Sequence, residues 1–489
     1  MAEDTFQGTT GTDDSDIKTI RIPAIGSLLY RGTAASKDQR FVNGFFDVFK
    51  NSLTEKLSFY FNKRWGLTQT SGRQPTGGAA TARGCYSWNG ILYSVYGTKI
   101  YSNSTDLGVT LTSSTGLCGF AETRSGAGTR YLGINDGIKL FLISTTDVVT
   151  TVTTNYPTPN TRDLQYMDGY FFVLRNNGIH YHCTVDDPVT WDVTKFLTAQ
   201  MYTADIDKAG IGIARLANYL VQFSDKHTQL FFDNANAAGS ALSNYEQAVS
   251  QIGCASTDSI EQQEDRVIWV SNLGKHGYGV HMLSEAGGVK DVATPAIKRI
   301  LQAEGTSIST CVALTVHQGG HTLYVLNLDG ANRTFVYDYT SDLWVEWEAA
   351  AGGAKWPIVA SCQHLNQLIV QHATNGWLYV MSPTIYQDDS VNFTVLMRFA
   401  RVDFDTNQYK FQKSFDVICD IQASTTNVSF QYSNDDWVTL STARTLDMSL
   451  SRVFATNLGM FRRRSVQLSY TGNNPFRVEA IEFRVKLGA

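Results

Sequence analysis

Seven times along this chain a run of aromatic and β-branched residues meets a tight-turn pair and doubles back. "YSWNGILYSVYGTKIYS" (86–102) turns at Asn89-Gly90, and "RYLGINDGIKLFLI" (130–143) at Asp136-Gly137. "LQYMDGYFFVLRNNGIHYHC" (164–183) and "ARLANYLVQFSDKHTQLFFD" (214–233) repeat the first almost position for position. The remaining copies span 262–283, 316–338 and 363–381. Asn-Gly and Asp-Gly accept the positive φ of a hairpin turn, and the flanking Val, Ile, Tyr, Phe and Trp suit a buried pleated surface. An interval of roughly 40–55 residues is that of one propeller blade per repeat. A four-stranded blade cannot bury both faces alone but does so against its neighbours, which explains why these runs are apolar without strict alternation. The expected fold class is all-β, a β-propeller of six or seven blades.

The text outside the repeats differs in style. "TPAIKRILQAEG" (294–305) predicts a single helix: Thr294 caps it, Pro295 fits its first turn, and Ile297, Ile300 and Leu301 form one apolar face. From about Val391 the strands lengthen and alternate, as in "FDVICDIQAS" and "FRVEAIEFRVKL", predicting a C-terminal antiparallel β-sandwich-like domain over 391–489. The propeller is assigned to 84–390. An extended lead-in over 20–83 is expected to pack partly on it, preceded by a flexible acidic arm over 1–19.

Charge argues against a general nucleic-acid binder, since the net value is −5 rather than strongly positive. Residues 391–489 carry 12 Lys/Arg and 9 Asp/Glu, a balance of +3, which leaves −8 for residues 1–390. No apolar run reaches the roughly 18 residues of a membrane-spanning helix. The opening "MAEDTFQGTTGTDDSD" is the reverse of a secretory signal, so assembly in a host cytoplasm is expected, and the sequons at Asn103, Asn332, Asn392 and Asn427 carry no weight. Seven cysteines (85, 118, 183, 254, 311, 362 and 419) form no CxxC pair and read as free thiols filling apolar strands.

Few constellations suggest chemistry. His180 and His182 share one strand face and so have the spacing of two metal ligands, but no further ligand cluster stands beside them in the sequence. They read instead as one face of a hairpin strand near a wet edge. "DDPVTWD" (186–192) resembles the tryptophan-aspartate ending of some propeller repeats, where the aspartate ties a turn. "YSNDDWVTLS" (432–441) looks like the aspartate box of sialidase propellers without its central glycine. "AGIGIA" (209–214) is a lone Gly-x-Gly in a strand-like run, for which packing suffices. The densest charge, Arg462, Arg463 and Arg464, is either a solvated strand end or a contact to an acidic neighbouring subunit or to phosphate. No catalytic, cofactor-binding or metal residue is assigned, and no cofactor is expected.

One family is suggested by particular residues. "QLFFDNANAAGSALSNYEQAVSQIGCASTDSI" with "EDRVIWVSNLGKHGYGVHML" and "VKDVATPAIKRIL" resembles the central block of phage tail proteins of the packaged-DNA-stabilisation type, the tail hub or nozzle proteins of short-tailed phages. Ile252, Gly253, Cys254, Ala255 and Ser259 stand at its signature positions, followed by the Ile-Trp strand Val267 to Val270. "NKRWGL" (62–67) resembles the family's Lys-Arg-Pro-Gly-Leu, with Trp65 in place of proline, and "VYDYTSDLWVEWE" (336–348) is similar as well. The resemblance implies a structural virion protein in the tail, not an enzyme. It implies a homo-oligomeric ring, a hexamer, with the tail adaptor above and a tail needle or fibre below or beside. The ring extends the ejection channel and helps retain packaged DNA, and double-stranded DNA passes through without specific binding; an acidic lumen would suit that passage. Two other classes stay open: a virion-borne propeller glycosidase or depolymerase, and a receptor-binding adhesin that recognises its receptor through the C-terminal sandwich, with Trp437 among its aromatics.

Overall fold

The computed structural model describes residues 17–26, 28, 39–50, 57–70, 75–198, 209–236, 238–263, 265–285, 288–350 and 352–488. Two compact units emerge, one of 65–342 and 347–390, the other of 1–64, 343–346 and 391–489. Of the arm expected at 1–19, residues 1–16 lie outside the described residues, and the strand Ile17–Pro23 follows them.

The larger unit is the expected β-propeller, and no two of the hairpins read from the sequence share a sheet. The first sheet runs Ala82–Trp88, Ile91–Tyr96, Lys99–Ser102, Thr105–Thr110, and the second Gly119–Arg124, Arg130–Asn135, Leu140–Ser144, Val149–Val152. The third holds Gln165–Met167, Tyr170–Leu174, Ile179–Thr184 and Asp187–Thr198, and the fourth Gly210–Leu216, Tyr219–Ser224, Thr228–Asp233 and Leu242–Ser250. In the fifth, Gly253–Cys254 and Glu261–Gln263 share the partner Arg266–Asn272, followed by Tyr278–Ser284 and Val289–Asp291. The next has Val312–Gln318, His321–Leu328 and Arg333–Asp338 in this unit, while the segment that follows in the chain, 343–346, is grouped with the smaller unit. The last joins Ile358–His364, Gln367–His372 and Leu378–Ser382 to an early strand, Gly66–Gln69, in the register Ser382↔Gly66 to Tyr379↔Gln69.

Packing between sheets explains the unbroken apolar runs. Trp88, Tyr93 and Ile100 of the first sheet bury against Leu132, Ile134, Phe141 and Ile143 of the second. Leu140 and Leu142 then meet Phe171 and Val173, and Phe172 and Leu174 meet Ile213, Leu220 and Phe231. Between the last sheet and the first, Ile369 and Leu378 lie against Cys85 and Leu92. Alternate residues of one strand therefore serve two interfaces, and each large apolar side chain so buried contributes about 1.5–3 kcal/mol. The turns follow the sequence chemistry: Asn89 and Gly90 have φ of 50° and 76°, the mirror-image geometry that a two-residue hairpin needs.

The predicted helix spans Pro295–Glu304. Thr294 Oγ1 accepts from the Ile297 amide at 3.3 Å, and Ala296, Ile297, Ile300 and Leu301 are buried. At its far end Glu304 accepts from the amides of Gly330 and Ala331 at 2.9 and 2.7 Å, pinning the helix to the following hairpin turn. Five of the seven thiols are buried and all are free; Cys362 and Cys419 are partly exposed.

The smaller unit holds two facing sheets. One orders Gly44–Lys50, Leu57–Lys63, Arg477–Leu487, Lys410–Cys419 and Val453–Thr456, with Ile17–Pro23 and Met460–Phe461 on its flanks. The other orders Arg40–Val42, Thr394–Arg398, Ser465–Thr471, Asn427–Ser433 and Arg444–Asp447. Phe415 of the first stacks on Phe430 of the second with ring centroids 4.3 Å apart, and Phe41 of the second meets Phe46 and Phe61 of the first at 5.0 and 5.2 Å. The C-terminal strands thus share their sandwich with strands from 40–63.

Candidate functional site

The histidine hairpin is interior. His180 and His182 sit opposite Leu174 and Phe172 and are buried rather than near a wet edge, because the neighbouring blade covers them. Gln222 donates through Nε2 to the Gly178 carbonyl at 2.8 Å, so its Oε1 faces His180 Nδ1 at 2.9 Å as an acceptor, and the imidazole donates. Phe231 lies edge-on to that ring at 4.7 Å, and burial pushes the His180 pKa down to about 4. His182 Nε2 accepts from the Ala241 amide at 3.0 Å, leaving Nδ1 to donate to the Cys183 carbonyl at 2.7 Å. Both rings are neutral, and the bonds of His182 occupy both its nitrogens. Among the described residues no three His, Cys, Asp or Glu side chains come together as a metal would need.

The aspartates of the two motif-like stretches bond backbone amides close by in the chain. Trp191 is buried edge-on to Tyr156 at 5.0 Å, while Asp192 accepts from the Thr194 amide at 2.8 Å. In the aspartate-box-like segment, Asp435 accepts from the Thr439 amide at 2.9 Å, and Ser433 Oγ accepts from the Trp437 amide at 2.8 Å. Trp437 is half-buried, its ring beneath the Arg398 guanidinium at 4.5 Å. The glycines of "AGIGIA" serve packing: a Cβ on Gly212 would collide with Ile260 and press on the Asp163 carboxylate.

The arginine run divides. Arg464 is 1% exposed, bonded to Asn434 Oδ1 at 2.8 Å and Gln412 Oε1 at 2.5 Å, with Tyr432 and Phe461 rings 4.0 and 4.4 Å from its guanidinium. Burial lowers its pKa to about 10. Arg462 lies over Tyr409 at 4.6 Å, and Arg463 approaches Asp436 at 3.5 Å; both are exposed at the strand end.

Sequence reasoning missed a polar seam between blades. Asp163 accepts from the Ile213 amide at 3.0 Å and the Thr161 hydroxyl at 3.2 Å, joining the third blade to the fourth. Enclosure pushes its pKa up to about 8, although an edge of the residue still reaches solvent. Beside it Arg162 holds Asp258 through two bonds of 3.0 and 3.1 Å. Further round, Glu261 accepts from Thr315 Oγ1 at 2.8 Å and is raised to about 7 by burial. Single carboxylates carry no spacing signal, so their bridging of blades shows only in the folded chain.

Two hollows open on the propeller. One of about 870 Å³ is lined by Trp65, His317, Gln318, Gln363, Asn366 and Gln367 among others, and one of about 490 Å³ by Asp168, Asn218, Tyr219, Phe232, Asp233 and Tyr245.

These sheets, each fastened to the next through packed faces and interior polar groups, define the larger unit as a β-propeller. The chain is a member of the family described as "Bacteriophage P22 Gp10, beta-propeller", whose profile matches residues 33–386, and it is accordingly a bacteriophage structural protein of the virion. No curated protein matches it. Among solved structures it is similar to virginiamycin B lyase from Staphylococcus aureus (11% identity, 65% of this chain and 99% of that one, TM-score 0.39). It is also similar to the N-terminal domain of Nup159 (10%, 70% and 98%, TM-score 0.38) and the WD40 propeller domain of Doa1 (10%, 66% and 98%, TM-score 0.37). At such scores nothing about this chain's activity follows from them.

Proposed function

We propose that this chain is the subunit of a tail nozzle or hub ring in a short-tailed phage. A homo-oligomer, a hexamer by the family's implication, extends the ejection channel below the portal and adaptor and helps retain packaged DNA. The observation that carries this reading is the family match over residues 33–386, which takes in nearly all of the propeller and most of its lead-in. The interblade bonds support it, since a ring under internal pressure needs stiffness rather than a moving active site. On this reading the protein has no catalytic role; the self-tied Asp435 turn and the half-buried Trp437 under Arg398 favour neither the glycosidase nor the adhesin reading. With Arg464 committed to the interior, the subunit or phosphate contact falls to Arg462 and Arg463. Electron microscopy of the purified protein, alone and with the portal-adaptor complex, tests the proposal. Hollow rings docking on the adaptor are expected; a persistent monomer that ignores the adaptor, or release of sugar from host polysaccharide, would overturn it.

A further inference from the structure

The smaller hollow has a composition that the mechanical role leaves unexplained. Three aromatic rings converge there: Tyr245 lies 5.7 Å from Tyr219 at 42° and 6.4 Å from Phe232 at 87°, and Tyr245 is 39% exposed. Exposed aromatics around a concavity cost solvation and are characteristic of recognition surfaces. Two carboxylates, Asp168 and Asp233, complete the wall, and among the described residues no Lys or Arg lines it. Asp168 belongs to the Asp168-Gly169 turn of one blade, and Asp233 ends a strand of the next. Asp233 Oδ1 accepts from the Ala235 amide at 2.8 Å, which fixes the carboxylate. Arg215, one strand away from Tyr219, is committed elsewhere: its guanidinium donates to the carbonyls of Ala217 and Tyr166 at 2.8 and 3.1 Å.

Ring faces carry partial negative charge, and the carboxylates add full charges of the same sign. A neutral saccharide would stack on the rings and donate hydroxyls to the carboxylates but would not answer their charge. An alkylated ammonium ion satisfies both features, because its methyl or methylene groups contact the rings while its charge answers the carboxylates. We propose that the hollow formed by Tyr219, Phe232, Tyr245, Asp168 and Asp233 is a binding site for a small alkylated ammonium cation.

Choline and its uncharged isostere 3,3-dimethylbutan-1-ol are the probes, titrated by calorimetry into the intact protein. Choline is expected to bind and the isostere to bind at least about tenfold more weakly, as a cation–π site requires. Tyr245→Ala should weaken choline about tenfold, Tyr245→Phe should stay within about twofold, and Asp233→Asn should weaken it several-fold, all without a change in thermal unfolding. Equal affinity for the two probes would overturn the proposal in favour of a merely apolar hollow. Absence of choline binding, or binding that survives Tyr245→Ala and Asp233→Asn together, would overturn it as well.

Discussion

At the scale of single residues, burial decides what a polar group does here. Arg464 looks in the sequence like its two neighbours, yet it is the one enclosed by Tyr432, Phe461, Asn434 and Gln412. Arg464→Ala should cost about 3 kcal/mol in chemical denaturation, whereas Arg462→Ala and Arg463→Ala should each stay within about 0.5 kcal/mol. The same two exposed substitutions combined are expected to weaken ring assembly, measured by sedimentation. His180 gives a pH signature. Its folded pKa, about 4, lies below the ordinary 6.5, so between those values the unfolded chain binds the extra proton. The stability His180 contributes is whole above pH 6.5 and lost as pH falls towards 4, by an amount on the order of 3 kcal/mol. His180→Gln should flatten that part of the stability–pH curve whatever it does to the absolute level. Neither outcome was readable in advance: the three arginines and the paired histidines have the same letters whether a neighbouring blade covers them or not.

At the scale of elements, much was legible because strand, turn and cap each have local chemistry. The hairpins about Asn89-Gly90 and Asp168-Gly169 and the helix capped by Thr294 stand where turn residues and period put them. What stayed hidden is how blades are fastened, since Asp163 meets the Ile213 amide across fifty positions of sequence. That fastening titrates with the opposite sign to His180. Asp163 has its folded pKa raised to about 8, so the native state holds the proton more tightly, and stability attributable to it declines as pH rises from about 4 to about 8. Asp163→Asn keeps an acceptor for the Ile213 amide and cannot ionise. Relative to the wild type it should gain stability by about 1–2 kcal/mol on going from pH 5 to pH 8.5, read from paired denaturant titrations. A constant difference across that range would show that the carboxyl ionises freely in the folded protein.

At the scale of the whole molecule, the sequence pointed to a repeating all-β body and a separate C-terminal sheet pair. Repeats identify themselves by likeness. The strand Gly66–Gln69 has no such likeness to announce it, and it completes the last blade by pairing with Leu378–Ser382. Nor did the alternation of the C-terminal strands disclose that Gly44–Lys50 and Leu57–Lys63 share their sheet. Gly66 tests the blade closure directly. A Cβ there would strike the backbone of Gln387, so Gly66→Val should lower the unfolding midpoint by several degrees and expose the last blade to protease first.

That closing strand has a consequence for biosynthesis. Gly66 leaves the ribosome more than three hundred residues before its partner Ser382. Throughout that interval the blades already translated have no last member to lean on, and the outer edge awaiting Gly66–Gln69 does not yet exist. Closure of the last blade therefore waits until Ser382 has been made, however early the other hairpins form.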